Sequence, residues 1–525
     1  MRIAALLLLS AAALAPPLAA QQVEEMSITD LQAMIANGRA SSESITRAYL
    51  ARIADMDRKG PTLRTIIALS PDALADAKAA DARRKAGKPL GPLDGVPILV
   101  KDNIETRGAM ATTAGSLALK GNVTGRDAPV IAQLRAAGAV ILGKTNLSEW
   151  ANIRSNKSIS GWSALGGQVR NPYALDRSPC GSSSGSGAAV AASFAAAALG
   201  TETDGSVVCP SAMNGLVGLK PTMGLVSRTH VIPISHSQDT PGPMARSVRD
   251  TAILFSAMIA SDPADAATKD ADRHRRDYAA GLDTASLKGA RIAVVRPKMP
   301  ADLAARFDAA LAVLAAQGAV LVPVEQPRLD GLDEAELAVL LAELKADLNI
   351  YLAGTPDAVK TRTLADLIAF NTANKAAEMP YFAQETFEDA EKTKGLTDPA
   401  YRVARAKSLA LAGAQGLDAM LAKAKADIIV QPTYGPAWLI EPVHGDQFNG
   451  PSASTLPAVS GYPHLTVPMG LVKGLPVGLS FIGRPYDEAR LLGAGHVYER
   501  AAHARTPPRY LPTADVGPGM EGALP

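Results

Sequence analysis

The chain has 525 residues, 47% of them apolar and 20% charged, so a large core is within reach and wholesale disorder is excluded. Lysine and arginine number 53 against 51 aspartate and glutamate, and a net charge of +2 leaves no concentrated basic face for a nucleic-acid partner. Two cysteines, Cys180 and Cys209, are too few for a disulfide scaffold and lack metal-ligand spacing, so no metal is expected.

The first twenty residues stand apart. Met1-Arg2, the apolar run Ile3 to Ala15 and Pro16-Pro17-Leu18-Ala19-Ala20 have the form of a secretory leader cut near Ala20. The run is short for a membrane span, the alternative being an uncleaved anchor. A soluble periplasmic or secreted protein with no membrane partner after cleavage follows from the leader; a monomer is expected. In that oxidising setting a bridge between Cys180 and Cys209 is open, and two small buried thiols is the plainer reading.

Helical spacing begins after Ser27 (Leu31, Met34, Ile35) and again after Ser42 (Ile45, Tyr49, Leu50, Ile53), and recurs over 72–87. Val96 to Val100 reads as a buried strand running into Lys101-Asp102-Asn103, residues 128–137 as a helix, and Ala139 to Leu142 as another buried strand. Residues 155–225 are dominated by Gly and Ser, with one Ala-rich helical run at Ala188–Ala198; such a stretch inside a compact domain is usually a functional site. Residues 262–290 read as a charged surface linker, and 301–425 as mostly helical with a strand-like Ala319 to Val324. Strand signals return at Asp427–Val430, Leu465–Val467 and Val477–Ile482. The expectation is an α/β protein: one large domain over 21–515, a mixed sheet covered by helices on both faces, a helical insertion at about 300–425 and a flexible tail at 516–525.

Two motifs mislead. Gly138 to Thr145 spells GxxxxGK[ST], but a helix precedes its first glycine and its middle is a buried strand, so nucleotide binding is set aside. Gly181-Ser182-Ser183-Ser184-Gly185 spells GxSxG, yet no strand leads into it, and His464 is the one histidine near a strand.

The informative constellation is larger. It comprises Gly95-Val96-Pro97-Ile98-Leu99-Val100-Lys101, then Ser178-Pro179-Cys180-Gly181-Ser182-Ser183-Ser184-Gly185-Ser186-Gly187, then Gly200-Thr201-Glu202-Thr203-Asp204-Gly205-Ser206, then Gly215 to Thr222. Together with the stretch from Pro432-Thr433 to Gly483-Arg484-Pro485 it resembles the amidase signature family over almost all of the mature chain. Within that family the likeness is greatest to enzymes that release ammonia from the C-terminal amide of peptides, through Thr145 to Asn152, Ser158 to Ser163 and Glu202 to Pro210. The resemblance implies a single mixed-sheet domain and carboxamide hydrolysis without a cofactor on a small-molecule or peptide amide. It assigns the base to Lys101, the bridging serine (typically after a cis bond) to Ser182, the nucleophile to Ser206, and an oxyanion hole to the amides of Thr203, Asp204, Gly205 and Ser206.

Elementary chemistry gives the same picture. A serine hydroxyl needs a base, lysine can be one only when neutral, and burial favours the neutral amine. The bland alternative is an ion pair of Lys101 with Asp102 and serines that merely make turns. Family members acting on acids often carry arginine just after the nucleophile; Val207, Val208 and Cys209 stand here, so an uncharged pocket suited to peptide or amino-acid amides is expected. Asp204 and Glu202 depart from the commoner glycine and aspartate, and Asp204 adds negative charge near the oxyanion or holds a substrate group. Ser158, Trp162, Cys180 and Gly181 are further candidates for substrate contact. The competing functions are a broad amidase or esterase, the amidase component of a tRNA-dependent amidotransferase, and a binding protein that lost catalysis.

Overall fold

The computed structural model describes residues 20–515. The leader expected over 1–20 lies, but for Ala20, outside the described residues, and so does the tail over 516–525. Among the described residues no helix is long and apolar enough to cross a membrane.

Helix α1 (Ile28–Ala36) starts in a capping box: the Ser27 hydroxyl accepts from the Asp30 amide while the Asp30 side chain takes the Ser27 amide. Helix α2 (Ser42–Met56) is capped in the same way by Ser41, one residue before the serine that the spacing suggested. Strand β1 (Ile66–Leu69) and helix α3 (Ala73–Lys85) lead to β2 (Pro97–Lys101), and α4 (Pro129–Ala136) leads to β3 (Val140–Thr145). Every residue of β2 and β3 is buried, as strands covered on both faces require. The P-loop look-alike is therefore the strand β3 with its preceding turn, and no phosphate cradle exists there.

Strands β4 (Trp162–Ser163) and β5 (Gly167–Gln168) form a separate small hairpin. Helix α5 (Ser184–Ala191), strand β6 (Ala197–Glu202), helix α6 (Val208–Met213), strands β7 (Val217–Lys220) and β8 (Thr240–Ala245), and helix α7 (Val248–Ser256) follow. This corrects the helix expected at Ala188–Ala198. The helix starts earlier and ends at Ala191, Ser193 turns left-handed at φ 56°, and Ala197-Ala198 belong to a strand. Alanine is there because helix and sheet pack closely; packing overrides its helix propensity.

Strand β9 (Arg291–Val295), helix α8 (Ala301–Ala316) and strand β10 (Val320–Val324) make a parallel crossover unit, and α9 (Leu332–Ala353) opens the helical cover. Strands β11 (Ile428–Pro432), β12 (His464–Val472) and β13 (Leu475–Ile482) complete one eleven-stranded mixed sheet in the order β1-β3-β2-β6-β8-β7-β12-β13-β11-β9-β10. Parallel pairs (β3-β2-β6 and β11-β9-β10) lie on either side of an antiparallel centre, the edge strand β1 adds antiparallel to β3, and β7 meets β12 where the two halves of the chain join. The sheet and its helices form one domain. Within 300–425, β10 belongs to this sheet and α8 packs against it; from α9 to Ala424 the chain is mostly helical. There Leu344, Leu348, Leu352, Leu364, Leu367 and Phe387 pack on Ala114, Leu119, Trp150 and Ile232 beside the Gly/Ser-rich segment. The stretch at 262–290, expected as a linker, is tied down, with Ala271, Tyr278, Leu282 and Leu287 in the main core.

Candidate active site

Lys101 ends β2 with no exposure to solvent. Its Nζ lies 2.8 Å from Ser182 Oγ and 2.8 Å from Thr201 Oγ1, with the Thr201 carbonyl at 3.3 Å. Burial drives its pKa down to about 7, against the pull of Asp239 and Glu202. The ion pair with Asp102 that the adjacent residue suggested is not formed. Successive residues on a strand point to opposite faces, and Asp102 pairs instead with Lys144 of β3 at 3.0 Å.

Ser182 follows a cis peptide bond with Gly181 and precedes α5. A side chain on Gly181 would collide with Ser148 Oγ and Asn152 Oδ1, so only glycine fits. Cys180 and Cys209 are joined in a disulfide, Cα to Cα 6.0 Å. Two free thiols, the plainer expectation, is thus corrected: the fold carries the segment holding Ser182 alongside the helix that follows Ser206, which spacing alone does not reveal. The bridge clamps these two segments together. The Ser183 amide adds a hydrogen bond of 3.2 Å to the Ser206 carbonyl.

Ser206 lies on the turn from β6 into α6 and is 9% exposed. Glu202, last residue of β6, caps that turn, its Oε2 accepting the amides of Val207 at 2.8 Å and Val208 at 2.9 Å. A carboxylate at a helix N-terminus is well placed. Gly205 takes φ 78°, and a methyl there would strike the Tyr434 hydroxyl. Among the described residues the amides of Thr203, Asp204, Gly205 and Ser206 donate no hydrogen bond to another protein group. Asp204 turns its carboxylate to a short helix in the C-terminal part of the chain (Thr455–Ser460): Oδ2 accepts from Thr455 Oγ1 at 2.9 Å, and burial raises its pKa.

Three contributors were not visible in the sequence. Thr201 Oγ1 sits between Lys101 and Asn103, whose Nδ2 donates to it at 2.9 Å. An amide NH₂ can only donate, so it fixes the threonine oxygen as an acceptor. Asp239 accepts Thr203 Oγ1 at 2.6 Å and the amides of Ile234 and Ser235, anchoring the turn from outside. Their only signal is proximity created by folding.

Other candidates sit apart from this cluster. Ser158 exchanges hydrogen bonds with Asn152, which lies against Gly181. Trp162 is buried edge-on against Phe382 at 5.3 Å, beside the Arg154 guanidinium. Ser183 is absorbed by the backbone of Thr201, and His464 is buried against Ser480 with its pKa lowered to about 3 by burial, so neither serves a nucleophile elbow.

Known proteins resemble this chain over nearly the whole of its described length. The profile of the family described as Amidase matches residues 44–492. The chain belongs to the amidase signature family. A "Probable amidase" of Arabidopsis thaliana is 38% identical over 502 residues, covering 93% of this chain and 92% of its own. One component of the glutamyl-tRNA(Gln) amidotransferase of Myxococcus xanthus is 36% identical over 500 residues, covering 91% and 98%. Among solved structures, the native peptide amidase of Stenotrophomonas maltophilia superposes with a TM-score of 0.89 at 50% identity, covering 93% of this chain and 99% of that one. As a member of this amidase family the protein is an amide-hydrolysing enzyme.

Proposed function

We propose that this amidase hydrolyses the terminal carboxamide of peptides and amino-acid amides, releasing ammonia through an acyl-enzyme on Ser206 with Ser182 and Lys101 completing a Ser-Ser-Lys triad. The observation that carries the reading is the 2.8 Å contact of Lys101 Nζ with Ser182 Oγ at a wholly buried lysine. Neutral Lys101 takes the Ser182 proton as Ser182 takes that of Ser206, and Ser206 Oγ attacks the amide carbon. The unpaired amides of the 203–206 turn receive the oxyanion; each such donor is typically worth about 100- to 1,000-fold in rate. The proton returns through Ser182 to the leaving nitrogen, ammonia departs, and water attacks the ester by the reverse relay.

Support for the peptide-amide class comes from the 50% identity to a peptide amidase and from Val207, Val208 and Cys209, which offer no cation to a substrate carboxylate. The apolar leader and the Cys180–Cys209 bridge favour action outside the cytoplasm. The test is ammonia release from C-terminally amidated peptides and from malonamate-like acids, with Ser206→Ala as control. Neutral peptide amides should be turned over faster and Ser206→Ala should be inactive; preference for the acids, or a fully active Ser206→Ala, overturns the reading.

A further inference from the structure

The segment 434–452 closes on itself through an antiparallel bridge between Tyr434 and Ser452. At its base the Tyr434 hydroxyl meets Gly205, the residue before Ser206, and bonds Ser454 Oγ at 2.6 Å. Phe448 stands edge-on to Tyr434 at 5.4 Å and to Trp438 at 5.8 Å, so it ties the two sides of the loop. Behind them, Tyr434 and Trp438 pack on Ala437, Met213 and the Cys180–Cys209 bridge, the apolar cluster that joins both serine segments. Asp446 pins the loop, accepting from Trp438 Nε1 at 2.9 Å and from Ser160 Oγ at 2.6 Å. Phe448 nevertheless leaves 40% of its surface in solvent. An aromatic left half-exposed, one ring away from the nucleophile turn and on a rigidly pinned loop, is a surface built for contact.

We propose that Tyr434, Trp438 and Phe448 form the wall that receives the side chain of the residue bearing the amide, so that amides of bulky apolar residues are the preferred substrates. This rests on the Ser206 reading above. With the carbonyl carbon at Ser206 and its oxygen at the 203–206 amides, a side chain one bond further out passes Gly205 and meets Tyr434 and then Phe448.

The test compares kcat/KM for the N-acetyl amides of Phe, Leu, Ala and Glu, in the wild type, Phe448→Ala and Phe448→Leu. The wild type should favour the Phe amide over the Ala amide by about 10- to 100-fold, the range that apolar pocket contacts support. Phe448→Ala should compress that ratio to about threefold, through a higher KM for the Phe amide, while Phe448→Leu keeps the Leu-over-Ala preference. A wild-type ratio below about threefold overturns the proposal, as does an unchanged ratio in Phe448→Ala. An equal loss on all four amides also overturns it, because that marks a loop that only holds the turn in place. If the wild type hydrolyses none of the four, the Ser206 reading itself falls, an outcome distinct from hydrolysis without preference.

Discussion

Two buried lysines stand on neighbouring parallel strands, Lys101 on β2 and Lys144 on β3, and both are fully shielded from water. Around Lys144 the fold supplies a carboxylate at contact distance, Asp102 at 3.0 Å, and the Thr112 hydroxyl at 2.8 Å. Around Lys101 it supplies only hydroxyl and carbonyl oxygens; the carboxylates of Asp239 and Glu202 act from further off. Burial disfavours the charged form of each, yet only Lys144 has a carboxylate in direct contact to resist it. The difference separates a structural cation from an amine available as a base.

Replacing each lysine with methionine should break the pair apart. Lys101→Met should keep its folded stability near neutral pH while kcat/KM falls on the order of 10⁴-fold; an active variant would refute the base assignment. Lys144→Met strands the Asp102 carboxylate and should cost about 3–5 kcal/mol in denaturant unfolding, part of which Asp102→Asn restores. Equal stability loss for both lysines would erase the contrast. Removing the Cys180–Cys209 bridge, which spans 29 residues, should cost about 3–4 kcal/mol of stability by the same measurement. Unchanged unfolding would show that the bridge does not clamp the two serine segments. Thr201→Val removes one of the oxygens that face Lys101 and should lower kcat about 10- to 100-fold with little change in KM. A loss confined to KM would place Thr201 with the substrate rather than with the lysine.

Much of the fold was legible in the sequence, for physical reasons. Ser27 with its helical spacing announced α1, and unbroken apolar runs announced β2 and β3, because capping and two-sided burial leave local marks. Strand β8 left none. Its core is Thr240-Pro241-Gly242-Pro243, and prolines argue against a central strand. Both prolines share one parity, so their missing donors fall on one edge, and pairing with β7 reaches only Met244 and Ala245 while β6 pairs along the whole strand. Lys101, Ser182 and Ser206 could be singled out from motifs in which glycine and serine recur. Thr201, Asn103 and Asp239 could not, since nothing local distinguishes a threonine whose oxygen will face a lysine from one that will not. The disulfide was undecidable for the same reason: two cysteines far apart in sequence reveal nothing of the distance between their Cα atoms.

The most direct test of an uncharged Lys101 is the pH dependence of kcat/KM on a neutral peptide amide that does not itself titrate. The base form prevails above the lysine's pKa, so the rate should rise about tenfold per unit at acid pH and level off above a midpoint near 7. A midpoint close to 10, the range of a lysine in water, or a profile flat from about pH 5.5 to 9 would contradict the account.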